Sequence, residues 1–269
     1  MLKLNFDNTE REIVEGHSSK GNQPKWRMNE KWYKADHMGY EALSEILISR
    51  LLKYSNADSY VSYDEVKISY DGKEVPGCVS TSFQEKHELL IPFERLHRAY
   101  KGIGMAAALA KYNDTTKRVQ YAVDFIQNTT GLTGVGKYIT FLTELDAFFL
   151  NEDRHTNNLA VIRNDITKEY KLCPIFDNGL SLLSDLSDYP MGKDVYELID
   201  RVKAKPFDVS FDAQLEAAEA LYGSHLKFSF THNDVSGLID ELRPLYDEDI
   251  LRRVEAVIFE QMRKYQIFF

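Results

Sequence analysis

The stretch Asn151-Glu152-Asp153-Arg154-His155-Thr156-Asn157-Asn158 sets a carboxylate and a carboxamide five residues apart, and Ile175-Phe176-Asp177-Asn178-Gly179 follows after a short hairpin-like interval. An enzyme that moves a γ-phosphoryl group needs a carboxylate near the acceptor hydroxyl and oxygen ligands that hold Mg2+ against the phosphates. Asp153, Asn158 and Asp177 offer those three groups: Asp153 for the hydroxyl, Asn158 and Asp177 for the metal. Alone, residues 151–158 also read as a polar loop whose Asp and Asn side chains make turn and capping bonds. The second motif, reached through a strand pair, tips the reading to phosphoryl transfer.

The elements that must position these groups change character along the chain. Up to about residue 85 the pattern is short strands around one helix. Trp26–Met28 and Lys31–Ala35 flank Asn29-Glu30 as a tight hairpin, and Val66, Ile68 and Tyr70 alternate with polar residues before an Asp71-Gly72 turn and a strand through Gly77–Ser80. Between the hairpins, Leu43, Ile46, Leu47 and Leu51 recur at the spacing of one apolar helix face over residues 39–54. Beyond residue 90 helices dominate. Tyr138, Phe141, Leu142, Leu145, Phe148 and Phe149 form a stripe over 137–150, leading into the Asp153 loop, and Ile250, Leu251, Val254, Val257, Ile258 and Met262 repeat the pattern over 249–264. Leu159–Ile162 and Leu172–Ile175 read as two short strands around the turn Arg163-Asn164-Asp165. The expectation is an α+β chain: a small strand-rich lobe over 1–85 and a larger, mainly helical lobe over 86–269.

Composition narrows the partners. With 269 residues, a formal charge of −9 and a pI near 5.4, the chain has no global attraction to nucleic acid or anionic lipid, so no nucleic-acid partner is expected. Cys78 and Cys173 each lie in an apolar or strand-like run and read as small buried side chains. No apolar run has the length of a membrane span, and the first residues lack the apolar core of a signal peptide. A cytoplasmic protein is the expectation, with secretion as an effector by a signal-independent route left open.

Asp153-Arg154-His155-Thr156-Asn157-Asn158 followed by Ile175-Phe176-Asp177-Asn178-Gly179 resembles the HipA-like serine/threonine protein kinases of bacteria. The Asp-to-Asn step matches that of protein-kinase catalytic loops, and Asp177, with Gly179 two residues on, takes the place of the second metal-binding carboxylate. His155 sits where ordinary protein kinases place a lysine. The Asp-Arg-His-x-x-Asn form also occurs in phosphoinositide 3-kinase-type lipid kinases, and a nucleotide-binding pseudokinase scaffold is a further alternative. Ser18–Lys25 is similar to the HipA-like phosphate loop, a serine three residues before a Gly-x-Gln-x-Lys core formed by Gly21, Gln23 and Lys25. Lys34 lies on a short apolar strand, where an ammonium needs a carboxylate partner. Glu45 is the expected partner, with Glu41, one turn earlier, as a rival.

The resemblance implies a bilobal protein-kinase-like fold that uses ATP and Mg2+ and acts on a protein substrate. Lys34 would hold phosphates, and Ser82 and Phe83 would lie at a hinge beside adenine. It further implies autophosphorylation at Ser18 or Ser19, which would add roughly −2 charge beside the phosphates. Lys205-Pro206-Phe207 is similar to a late HipA-like segment. The chain has little room for the extra N-terminal subdomain through which full-length HipA toxins help bind an antitoxin, so an antitoxin partner is left open.

Overall fold

A computed structural model describes residues 2–6 and 23–269. They fall into two compact units. The first comprises the described residues of Met1–Ser82 together with Asp177–Val202 and Lys227–Phe269, and the second comprises Phe83–Phe176 and Lys203–Leu226. The expected α+β class holds, with strands concentrated towards the N-terminus and helices dominating afterwards.

In the first unit, β1 (Leu2–Asn5), β2 (Lys25–Met28), β3 (Lys31–Ala35), β4 (Asp64–Tyr70) and β5 (Lys73–Thr81) form one sheet in the order β1-β4-β5-β3-β2. Only β1 runs parallel to its neighbour. Both expected hairpins form. Asn29 and Glu30 have φ of 50° and 60°, and Asp71 and Gly72 have 50° and 72°, the positive pair that matches the twist of a two-residue hairpin. The strand period then assigns faces. Tyr33 and Ala35 point with Trp26, Val66, Ile68 and Phe6 into one apolar cluster, in which the Phe6 and Trp26 rings stack at 4.8 Å. Lys34, between them, is turned to the opposite face.

That opposite face is covered by α1 (Glu41–Leu51), which packs on β3, β4 and β5 and also meets α8 (His232–Asp240). The sequence suggests one apolar stripe, but every residue of α1 except Arg50 is buried. Its polar residues are therefore satisfied internally: Ser44 Oγ donates to the Ser181 carbonyl at 3.0 Å, and Ser49 Oγ to that of Ile46 at 2.9 Å. Burial of Leu43, Ile46, Leu47, Ile48 and Leu51 contributes about 1.5–3 kcal/mol each. The unit is completed by α6 (Val195–Ile199) and α9 (Glu248–Lys264), and α9 buries the expected stripe apart from a half-buried Ile250.

The N-terminus of α1 is capped from a distance. Tyr40, at the N-cap, makes no side-chain capping bond, and Asp36 accepts the Ala42 amide at 2.6 Å instead, while its other oxygen accepts the Tyr246 hydroxyl at 2.8 Å. Burial, with the nearby Glu41 carboxylate adding to it, raises the Asp36 pKa well above the usual carboxylate range. The folded state then binds this proton more tightly than the unfolded chain does. Its contribution to stability is complete below the unfolded value of about 3.9 and is lost as pH rises through the higher folded value. Asp36→Asn is accordingly expected to gain stability relative to wild type as pH rises from 4 to 8, read as a rise in its urea midpoint minus that of wild type. A difference that stays constant or falls would contradict the assignment.

In the second unit, β6 (Glu88–Pro92), β7 (Ala160–Asn164) and β8 (Tyr170–Leu172) form a three-stranded antiparallel sheet. The expected turn between the last two is built by Asn164, whose side-chain oxygen accepts the amides of Ile166 and Thr167. Strand β8 stops at Leu172, short of the expected Ile175, and Pro174 offers no N–H to a ladder. The helices are α2 (Phe93–Lys101), α3 (Met105–Leu109), α4 (Thr115–Thr130), α5 (Val135–Phe149) and α7 (Phe211–Tyr222). Residues on every side of α5 are buried, a wider burial than the sequence stripe suggests. Gly136 makes that packing possible, since a Cβ there would come within 2.4 Å of the Tyr222 ring on α7. Cys78 and Cys173 are both buried and free, as expected. Among the described residues no helix is long and apolar enough to cross a membrane.

Candidate active site

The first unit carries a lysine between two carboxylates. Strand alternation aims Lys34 at α1, where its Nζ donates to Glu45 Oε1 and, at 2.8 Å, to Asp177 Oδ1. The Tyr63 ring lies 5.4 Å from the ammonium. Burial alone would lower the lysine pKa, but Asp177 and Glu45 together outweigh it and hold the ammonium well above the usual lysine range. The rival, Glu41, is occupied differently. Its carboxylate accepts the amides of His37, Met38 and Gly39, which are the donors exposed just before α1 begins.

Asp177 is fixed through the residues that follow it. The Asn178 amide donates to Glu45 Oε2 at 2.9 Å, so a single glutamate holds both the lysine and the residue after Asp177. Tyr40 donates its hydroxyl to the Leu182 carbonyl at 2.9 Å and Ser184 Oγ donates to that of Gly179 at 2.7 Å, while Gly39 pairs with Asp185. A Cβ on Gly39 would stand 2.0 Å from the Ser184 carbonyl oxygen. These bonds oppose local strain, because Asp177, Leu182 and Leu183 all have φ between 56° and 62°, a region costing non-glycine residues about 1–3 kcal/mol each.

The second unit carries the Asp153 loop. Leu150, at φ 56°, closes α5 in the left-handed conformation and turns the chain sharply. Asp146, one turn before the helix end, then binds the loop. It accepts Arg154 Nε at 3.0 Å and Arg154 Nη2 at 3.0 Å, and also Asn151 Nδ2 at 3.0 Å. Arg154 Nη1 continues to the Phe176 carbonyl at 2.7 Å, linking the loop to the residue that precedes Asp177 in sequence. Burial raises the Asp146 pKa against the pull of Arg154. Glu94 braces the other flank, accepting Thr156 Oγ1 at 2.8 Å and the Ala106 amide at 2.9 Å.

Within this loop the Asp153 amide donates to Asn151 Oδ1, and Asn158 Nδ2 donates to the Asp153 carbonyl at 2.9 Å. That bond uses the nitrogen end of the Asn158 carboxamide and leaves its oxygen as the end suited to a cation. The Asp153 carboxylate accepts Lys205 Nζ at 3.1 Å. His155 Nε2 lies 3.7 Å from Asp153 Oδ2, outside hydrogen-bond reach, and both ring nitrogens are buried with no hydrogen-bond partner among the described residues. Asn158 in the second unit and Asp177 in the first each offer an oxygen donor of the kind Mg2+ prefers. No group of three or more His, Cys, Asp or Glu side chains suited to a metal occurs among the described residues.

No protein-family model and no curated protein matches the chain. Among solved structures it is similar to the crystal structure of a Helicobacter pylori proinflammatory kinase, CtkA, with a TM-score of 0.61 and 18% sequence identity over 97% of this chain and 95% of that one. The chain has a kinase-like fold. The likeness is one of fold, and it extends over nearly all of both chains.

Within this kinase-like fold the remaining expected positions are distributed as follows. Gln23 Nε2 donates to the Ala35 carbonyl at 3.0 Å, and Lys25 pairs across the hairpin with Lys34, so both lie beside the lysine strand. Gly21, Ser18 and Ser19 lie outside the described residues. The Ser82 amide donates to the Glu30 carbonyl in the first unit. Phe83 belongs to the second unit, where its ring sits 5.6 Å from that of Phe176 over Ala160, Ile162 and Cys173. Sequence reasoning gave no role to Asp146, Arg154 or Glu94, and treated Lys205 only as part of a similar segment. The available signal was Glu144 and Asp146, two carboxylates inside an otherwise apolar helix, since a buried charge requires a partner.

Proposed function

We propose that this chain is an ATP-dependent serine/threonine protein kinase of HipA-like type. The observation that carries the reading is the Lys34 ammonium bonded at once to Glu45 and Asp177, residues 11 and 143 positions away. A lysine held this way presents a fixed positive charge for nucleotide α- and β-phosphates, and Glu45 sets its direction. Asn158 and Asp177 would hold Mg2+, which supplies charge neutralisation to the phosphates. Asp153 orients the acceptor hydroxyl and takes its proton. The oxygen–phosphorus bond to the acceptor forms as the bond to the β–γ bridging oxygen breaks, and that oxygen leaves with ADP, keeping the electron pair. Deprotonation need not run early, because a loose transition state asks more for positioning than for strong base chemistry.

The test supplies γ-labelled ATP and Mg2+ with casein, with phosphoinositide vesicles, or with the chain alone. Label on casein or on the chain, at serine or threonine, is the expected result. Label on lipid alone would transfer the assignment to a lipid kinase. Stabilisation by ATP with no transfer under Mg2+ or Mn2+ would leave a nucleotide-binding scaffold.

A further inference from the structure

Lys205 lies 52 residues beyond Asp153, yet its Nζ donates to Asp153 Oδ1 at 3.1 Å. The surrounding backbone is anchored. Ala204 and Phe207 are buried on either side, the Ala204 amide donates to the Val209 carbonyl at 2.9 Å, and Arg118 Nη1 donates to the Phe207 carbonyl at 2.8 Å. Thr115 Oγ1 also bonds to Asp208. The ammonium is thus delivered by a fixed segment, with about a third of the side chain exposed, to a carboxylate that is nearly covered. Lys203, two residues earlier, points into solvent.

We propose that Lys205 is a positioning residue for phosphoryl transfer. It fixes the orientation of the Asp153 carboxylate and offsets the repulsion between that carboxylate and the negatively charged phosphoryl group as the acceptor oxygen attacks. An unpaired carboxylate would meet the phosphate oxygens as a like charge, and in a partly desolvated site that repulsion is several-fold stronger than in water. The ammonium offsets it from its own anchored segment. His155, the neighbouring basic side chain, lies farther away at 3.7 Å. This inference rests on the phosphotransferase reading.

Transfer from γ-labelled ATP with Mg2+ to casein, to the chain itself and to water tests it in four proteins: wild type, Lys205→Ala, Lys205→Arg and Lys203→Ala. Lys205→Ala should lower kcat about 10- to 100-fold, somewhat less than the ~10²–10³ cost of losing a fully buried transition-state donor. Its KM for ATP should stay within about twofold, because the lost interaction acts on transfer and not on ground-state binding. Lys205→Arg should recover most of kcat, and Lys203→Ala should match wild type. Wild-type kcat in Lys205→Ala would overturn the role while the kinase reading stood. Equal losses in the Ala and Arg variants, tracking a lower Tm and weaker ATP binding, would reduce Lys205 to a structural ion pair. A wild-type chain that transfers label to no acceptor would remove both readings together.

Discussion

Asp153→Ala should fold like wild type and bind ATP with similar affinity, but transfer phosphate at least ~100-fold more slowly, in line with the ~10²–10⁴ contribution of a positioned acid or base. The separation is expected because the loop is held by groups other than the Asp153 carboxylate. The Asp153 main chain makes the bonds to Asn151 and Asn158, and the alanine variant keeps them. The buried brace of Asp146, Arg154 and Asn151 is equally untouched. What disappears is one carboxylate, together with an ion pair to the partly exposed Lys205. Such a pair contributes only about 0–1 kcal/mol once solvent screening is counted. Asp153→Asn provides the stricter comparison, since it keeps the shape and removes the charge. Initial rates with γ-labelled ATP, beside thermal midpoints and nucleotide titrations, make the measurement. A loss below about tenfold in both variants would take Asp153 out of the chemistry.

The local parts of this architecture were legible because local physics decides them. Asn29, Asp71 and Gly72 announce hairpins as residue types that tolerate positive φ, although Glu30 adopts it too, and α1, α5 and α9 declare themselves through apolar spacing. Periodicity underestimates burial, however. A stripe identifies the first covered face of α1, but only tertiary packing shows that Ser44 and Glu45 are covered as well. The choice between Glu41 and Glu45 was likewise beyond sequence. Both sit on the same helix, and what separates them is that Glu41 meets three backbone amides in the turn before it, a consequence of how His37–Gly39 approaches the helix. Arg154 stands in plain view inside the motif without a role, because spacing alone does not show that Asp146, a carboxylate in a mostly apolar helix eight residues earlier, is its partner. The Lys205–Asp153 bond spans 52 residues, and nothing in their spacing foretells it.

Lys34→Met should cost more stability than any surface substitution in the chain, about 3–5 kcal/mol, because it strips the counter-charge from a carboxylate with no solvent access. Glu45 is fully buried, and its second oxygen is committed to the Asn178 amide. Without the ammonium, the Glu45 and Asp177 carboxylates, which now share that one cation, would face each other as like charges. A compensating Glu45→Gln tests the cause. Glutamine can still accept from Asn178 but carries no charge, so the double variant should regain about 2 kcal/mol or more over Lys34→Met alone, a coupling of the size expected for contacting residues. Activity should not follow stability. The double variant lacks the ammonium proposed to hold the phosphates, so transfer should stay at least ~100-fold below wild type even where the fold is restored. Urea unfolding and initial rates across the four-member cycle separate the two effects. If Lys34→Met proved as stable as wild type, the three-way contact could not be the buried electrostatic centre of its unit. If the double variant recovered transfer along with stability, Lys34 would be a structural residue, and the phosphate-binding role would have to pass to another cation, with Lys25 across the hairpin as the nearest candidate in register.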